Sequence, residues 1–155
     1  VAGTTLVGVA GQTYPTAQWS VDNTTGLVTM AANKTHNISA ITQAAQAVVT
    51  VGSHTFVTGN SVVFSGVVGM TQINNLRALV TATSGTTITV AINSTAFSAY
   101  TSNGTVQTQP IAGEVVTGGC EFDIPCRFDS DLGGAFSDWG TIAASGIRIL
   151  ELLNP

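Results

Sequence analysis

The residues best placed to do chemistry lie late in the chain. Five of its eight acidic side chains fall between Glu121 and Asp138: Glu121, Asp123, Asp129, Asp131 and Asp138. Arg127 sits among them, and both cysteines, Cys120 and Cys126, lie in the same stretch. A carboxylate pair could supply the acid and base of a glycoside hydrolase, which needs two carboxyls facing one cleft about 5–9 Å apart. The spacing argues for something else. Glu121, Asp123, Arg127 and Asp129 alternate with Phe122, Ile124, Cys126 and Phe128, a period of two that belongs to a half-buried strand. Its acids then form a solvated or partner-facing edge. Pro125 cannot donate to a ladder, so this strand lies at a sheet edge or breaks there.

Metal chemistry finds little support. Asp129-x-Asp131-x-Gly133 has the start of a calcium loop, but its twelfth position would be Gly140 where that loop needs Glu. A turn in which Asp129 or Asp131 caps backbone N–H groups is the simpler reading. Cys120 and Cys126, six residues apart on one extended strand, stand about 20 Å apart. They also fall on the Phe122/Ile124/Phe128 side of the alternation, so two buried free thiols are expected. Two cysteines with His36 and His54 make no zinc set. His54 is expected to stand alone, without a second His, Cys or acid, and no Gly-x-Ser-x-Gly is present. Trp19, Phe97, Tyr100 and Trp139 could stack on sugars, although anchoring a core or an interface is the commoner fate of such rings. The expectation is no catalytic residue, no cofactor and no metal.

Composition narrows the partners. The 155 residues suffice for one good core or two small ones. Only 8% are charged, against roughly 25% in ordinary globular proteins. The surface must therefore be covered by Thr, Ser, Asn, Gln and Gly. A net charge of −4 with four strong bases, Lys34, Arg77, Arg127 and Arg148, argues against nucleic acid and anionic membranes, which need clustered Lys and Arg. No apolar run is long enough for a membrane span. The start, Val-Ala-Gly-Thr-Thr, has neither an initiator Met nor a signal-peptide core, and is read as that of a fragment or processed chain.

The elements that must position these residues are strands. Thr4–Val9, Gln18–Val21 and Leu27–Met30 read as strands, with Asp22–Gly26 a compact hairpin loop. Asn33–Asn37 reads as a polar connection. From Ile38 the texture changes to short strands near ten-residue spacing, including Val62–Phe64, Leu76–Thr83 and Thr86–Ile92, with turns at Thr58-Gly59-Asn60, Ser84-Gly85 and Asn103-Gly104. Ile147–Leu152 closes the chain as a last strand.

Two resemblances rest on quoted residues. Phe122-Asp-Ile-Pro-Cys-Arg-Phe-Asp-Ser-Asp131 resembles the C-terminal signature of a distal tail protein family of phages and gene-transfer agents, and Trp19–Met30 resembles that family's strand–turn–strand segment upstream. Between them, Val49-Thr-Val51, His54, Phe56, Gly59-Asn60, Ser65-Gly-Val67, Gly69-Met-Thr71, Asn74 and Phe97–Ser102 resemble a small β-barrel module similar to the first catalytic-cysteine half-domain of ubiquitin-activating enzymes. That half-domain does not supply the catalytic thiol, and residues 38–110 hold no Cys.

The resemblances imply an all-β chain. Residues 1–37 and 111–155 would form one discontinuous β-sandwich or barrel-like unit, and 38–110 a small β-barrel inserted into it, which should place Ile38 near Pro110. They also imply a virion structural protein at the tail tip, assembled in the bacterial cytoplasm. It would form a ring, as a hexamer, and meet the tail tube and the hub or tip proteins. Glu121, Asp123, Arg127 and Asp129 would then face subunit boundaries. The rival from another class is an accessory carbohydrate-binding module that recognises a host-surface glycan through the inserted domain, with Tyr100 facing the ligand. A cell-wall hydrolase component is a third.

Overall fold

The computed structural model describes residues 3–121 and four strands beyond them, Cys126–Phe128, Ala135–Phe136, Ile142–Ala143 and Ile149–Glu151. Ala2–Cys120 make one compact unit, and Glu121–Pro155 with Val1 a second. The described chain is all-β, its only helical pieces being two single 3-10 turns, Thr16–Gln18 and Thr71–Ile73.

The larger unit is organised around Ser61-Val-Val-Phe-Ser65. Its first four residues are buried whichever way they point, and a continuous apolar run of that length is what a strand covered on both faces requires. In chain order the strands of the unit are β1 (Leu6–Val9), β2 (Gln12–Thr13), β3 (Trp19–Val21), β4 (Val28–Met30), β5 (Thr35–Asn37), β6 (Ala40–Ile41), β7 (Ala47–Thr50), β8 (Ser61–Ser65), β9 (Arg77–Ser84), β10 (Thr87–Val90), β11 (Thr105–Gln107) and β12 (Val116–Gly119). The four strands of the second unit follow as β13 to β16. Seven strands of the larger unit form one antiparallel sheet in the order β5-β11-β8-β9-β10-β7-β6.

That order forces the sheet to curl. Its two edge strands, β5 and β6, are consecutive in the chain, with only Ile38 and Ser39 between them. Laid flat, seven strands at about 4.8 Å spacing would hold the edges nearly 30 Å apart. Two linking residues reach only about 10 Å, so the sheet wraps into a barrel. Its interior is one apolar cluster that includes Val49, Phe56, Val62, Phe64, Met70, Ile73, Val80, Ile88, Val90 and Val106. Thr87-Ile-Thr-Val90 shows the period-two rule directly, with Ile88 and Val90 buried and the threonines half-buried.

Two sequence expectations are corrected here. Thr35–Asn37, read as a polar connection, is strand β5 and pairs residue for residue with β11. Backbone pairing and an inward-pointing His36 outweigh its polar side chains. The strand expected from Gln18 begins instead at Trp19, because Gln18 ends a 3-10 turn and turns its amide inward.

A smaller three-stranded sheet, β12-β1-β2, and the β3–β4 hairpin share a second cluster of Val7, Val9 and Tyr14, with Trp19, Val28 and Met30 packed on it. The hairpin turn is made as expected: Asp22 accepts from the Thr24 N–H at 2.8 Å and the Thr25 hydroxyl at 2.9 Å, and Gly26 takes φ +73°. These bonds hold the exposed Asp22 carboxyl below its ordinary value.

The barrel's lid is a close backbone crossing. Gly69, at φ +85°, has no room for a Cβ against Thr101 and Ala99, and the Val68 and Ser102 backbones pair there. Gly69→Ala combines a left-handed backbone with a steric clash, and should destabilise the chain by about 2 kcal/mol or more in chemical unfolding. Gly59→Ala, with a similar φ and open space around it, should cost clearly less.

Candidate functional site

Of the residues expected at an interface, Glu121, the first residue of the second unit's main stretch, is exposed. Arg127 lies in β13 (Cys126–Phe128), which pairs with β16 (Ile149–Glu151) and sets Arg127 opposite Leu150. Asp123 and Asp129, with Phe122, Ile124 and Pro125, lie outside the described residues. Cys120 is exposed, which corrects the expectation of a buried thiol: all four residues of β12, which precedes it, are exposed as well.

Tyr100 is half-buried against the barrel core. Its hydroxyl lies 2.9 Å from the Ile38 carbonyl and 3.0 Å from that of Asn103, so its one proton is committed to the backbone. Beside those carbonyls opens a cleft of about 430 Å³ lined by Asn37, Ser65, Asn103 and Thr105, without a charged group.

His54 is not alone. The His36 ring lies 6.4 Å from it, edge-on, and Phe56 lies 5.1 and 5.8 Å from the two imidazoles. Strand β5, missed as a strand, is what carries His36 inward. His54 Nε2 donates to the Thr87 carbonyl at 3.2 Å, which fixes the tautomer and leaves a buried Nδ1 without a partner. Ring packing, with His36 edge-on to both His54 and Phe56, explains this cluster. Among the described residues no three of His, Cys, Asp and Glu gather as a metal set.

Among the described residues, charge is paired inside the larger unit, between Arg77 and Glu114. Arg77 opens β9 and is buried, and Glu114 meets it from the segment that leads into β12; their side chains are 1% and 6% exposed. Arg77 Nε donates to Glu114 Oε1 at 2.7 Å and Nη2 to Oε2 at 2.8 Å, the two-pronged fit that guanidinium and carboxylate allow. Nη1 donates to Ser61 Oγ and the Thr108 carbonyl, and Nη2 also to the Gln109 carbonyl. All five Arg77 N–H donors are thus used. The Tyr14 ring lies 5.5 Å from the guanidinium carbon and its hydroxyl donates to the Thr108 carbonyl at 2.8 Å. Gln18 completes the joint by donating to the Ser61 carbonyl and accepting the Ser61 N–H.

This joint ties three distant stretches together: Tyr14–Gln18, the barrel strands β8 and β9, and Thr108–Glu114. Burial pushes the Glu114 carboxyl up, but the Arg77 hydrogen bonds, the Ile111 N–H and the Arg77 charge together outweigh it and hold the carboxyl below its ordinary value. Burial raises the Tyr14 phenol, against the opposing Arg77 charge. Such a pair, fully hydrogen-bonded and closed to solvent, positions strands and offers no reactive group. Sequence reasoning missed it. The available signal was a lone Arg set among Leu76, Ala78, Leu79 and Val80 in a chain with four strong bases.

Removing one partner of a buried ion pair strands the other charge, so Glu114→Ala should cost roughly 3–5 kcal/mol. Arg77→Met with Glu114→Leu should recover part of that loss. A carboxyl held low stabilises the fold above its unfolded-chain value and loses that contribution as pH falls through the folded one. The parent's melting temperature should therefore drop on acidification below about pH 4.3, more steeply than that of Glu114→Gln. Asp22→Asn is the control, since Asp22 acts with the same sign.

No curated protein matches the chain. The family model of the ubiquitin-activating enzyme E1 FCCH domain matches residues 44–109, from the approach to β7 through β11. This part of the barrel is therefore similar to that domain, and the sequence reading of a β-barrel module related to ubiquitin-activating enzymes holds for those residues.

Proposed function

We propose that the protein is a non-catalytic structural component of a phage or phage-like tail, placed at the tail tip. There it assembles with copies of itself as a ring and meets other tail proteins. The observation that carries this reading is the outer edge of β12. No described strand pairs with it, and its four residues are exposed. Val116 within it, and Leu6 and Val115 beside it, are exposed apolar side chains. Uncovered edges of this kind are sites of strand pairing between chains. The Phe122–Asp131 signature directly downstream supports the tail assignment. The internal use of Arg77 and Glu114 supports a scaffold in preference to an enzyme.

A second reading has its own observation. The uncharged cleft of Asn37, Ser65, Asn103 and Thr105 beside Tyr100 offers amides and hydroxyls, the groups that bind neutral sugars, and fits a module recognising a host-surface glycan.

Size-exclusion chromatography with light scattering, and complementation of tail assembly, test the first reading. The parent should form oligomers. Asp123→Ala and Arg127→Ala should fold with normal circular dichroism and assemble poorly. A chain that stays monomeric and is dispensable for tails would overturn it. Binding of the full chain on a glycan array, lost in Asn37→Ala, would favour the second.

A further inference from the structure

We propose that β12 pairs with β12 of a second copy, antiparallel and centred on Thr117, so that two copies share one continuous sheet. The inference rests on the assembly reading and adds to it a specific contact. It is a two-fold contact that takes up the β12 edge on which self-assembly rests, so head-to-tail contacts that close a ring use another face.

Among the described residues the edge carries none of the usual protection. From Val115 to Gly119 there is no charge and no proline, the devices by which sheet edges avoid pairing. Its hydrogen-bonding groups are set for one register. β1 pairs with β12 as Leu6↔Gly119, Val7↔Gly118, Gly8↔Thr117 and Val9↔Val116. The Ala10 N–H donates to the Val115 carbonyl at 2.9 Å. By the alternation of an antiparallel ladder, Val115, Thr117 and Gly119 face β1, while the peptide groups of Val116 and Gly118 face outward. Two copies related by a two-fold axis at Thr117 would bring Val116 opposite Gly118 and Gly118 opposite Val116. Those are the residues whose N–H and C=O groups are free to be exchanged.

The side chains agree with that register. Val116 is 48% exposed and Val115 67%, while the two residues they would oppose are glycines. On the inner face a slot of about 230 Å³ lies open over Gly118, lined by Val7, Val28, Met30 and Val116. The Val116 side chain of the second copy would enter it. On the outer face the second copy's Val115 would lie beside Gly119, next to Leu6, which is 61% exposed.

Among the described residues, nothing in the chain's own fold requires either glycine. Neither takes a positive φ. A Cβ at Gly118 would meet nothing closer than the Leu6 carbonyl oxygen at 3.8 Å, and one at Gly119 nothing within 4 Å. Glycine weakens a strand, and where it sits in one without a local reason it marks the close approach of another group. A second copy supplies both the backbone and the valines that fit.

The test uses the full chain with Cys120→Ser and Cys126→Ser, carrying Thr117→Cys. A residue on the axis is a non-hydrogen-bonded pair with its own copy, about 4.5 Å between Cα atoms, within the range of about 4.4–6.8 Å that a disulfide spans. Mild oxidation should yield a species of twice 15.8 kDa. In a second variant, Gly118→Val, the slot is filled from within. It should melt no lower than the parent and self-associate at least tenfold more weakly. The proposal is overturned if Gly118→Val associates as tightly as the parent. It is also overturned if the Thr117→Cys variant associates but fails to cross-link, which leaves assembly through another face standing. A chain monomeric at every concentration overturns both readings.

Discussion

The larger unit depends on one buried charge being fully answered. An arginine without solvent costs several kcal/mol unless every donor is met and the charge is paired. Arg77 is met by Ser61, Thr108, Gln109 and both oxygens of Glu114, which come from widely separated stretches of the chain. None of these partners can leave without exposing the others to the same penalty. The barrel, the segment after β11 and the turn before β3 are therefore held in one arrangement by a requirement that apolar packing alone does not impose. Hydrophobic contact tolerates sliding, whereas a two-pronged ion pair fixes direction as well as distance.

A second constraint acts through connectivity. Because β5 and β6 are separated by two residues yet lie at opposite edges of a seven-stranded order, the barrel must close before both can pair. Most of its apolar cluster, from Val49 to Val106, is buried only in the closed form. The joint and the closure meet on β8 and β9: Ser61 and Arg77 sit at strand starts whose following residues line the core. Polar fixation on one face and apolar filling on the other thus share the same two strands.

Much of this was legible in the residues. Alternation over Thr87–Val90, the unbroken apolar run Val62–Phe64, the Asp22–Gly26 turn and the Asn103-Gly104 corner, with both residues at positive φ, all follow from local chemistry. What was not legible depends on partners distant in sequence. Thr35-His36-Asn37 looks like a linker because its strand character comes entirely from pairing with β11. Gln18 looks like a strand residue because its partner, Ser61, is 43 positions away. Arg77 and Glu114 are 37 apart, and nothing local announces that they meet. Of the proposed interface residues, Glu121, read on the polar side of the alternation, is exposed. Cys120, read on the buried side, is exposed as well, because alternation tells which residues share a face and not whether that face is covered.

Charge economy links the joint to the surface. With 8% charged residues, a pair committed to the interior leaves the outside of the larger unit, Asp22 and Lys34 apart, mostly to threonine, serine, asparagine, glutamine and small residues. Such a surface lacks the like-charge repulsion that keeps strand edges apart. An edge in this chain is therefore guarded by geometry or not at all. β2 is two residues long, and a short edge offers little to pair with. β12 has four residues, no bulge in its register with β1, and two glycines that open rather than block its outer side. Of the two edges of that sheet, one is closed by its shortness and the other pairs with no strand among the described residues. A charge-poor sequence can therefore associate at a defined place without becoming adhesive everywhere.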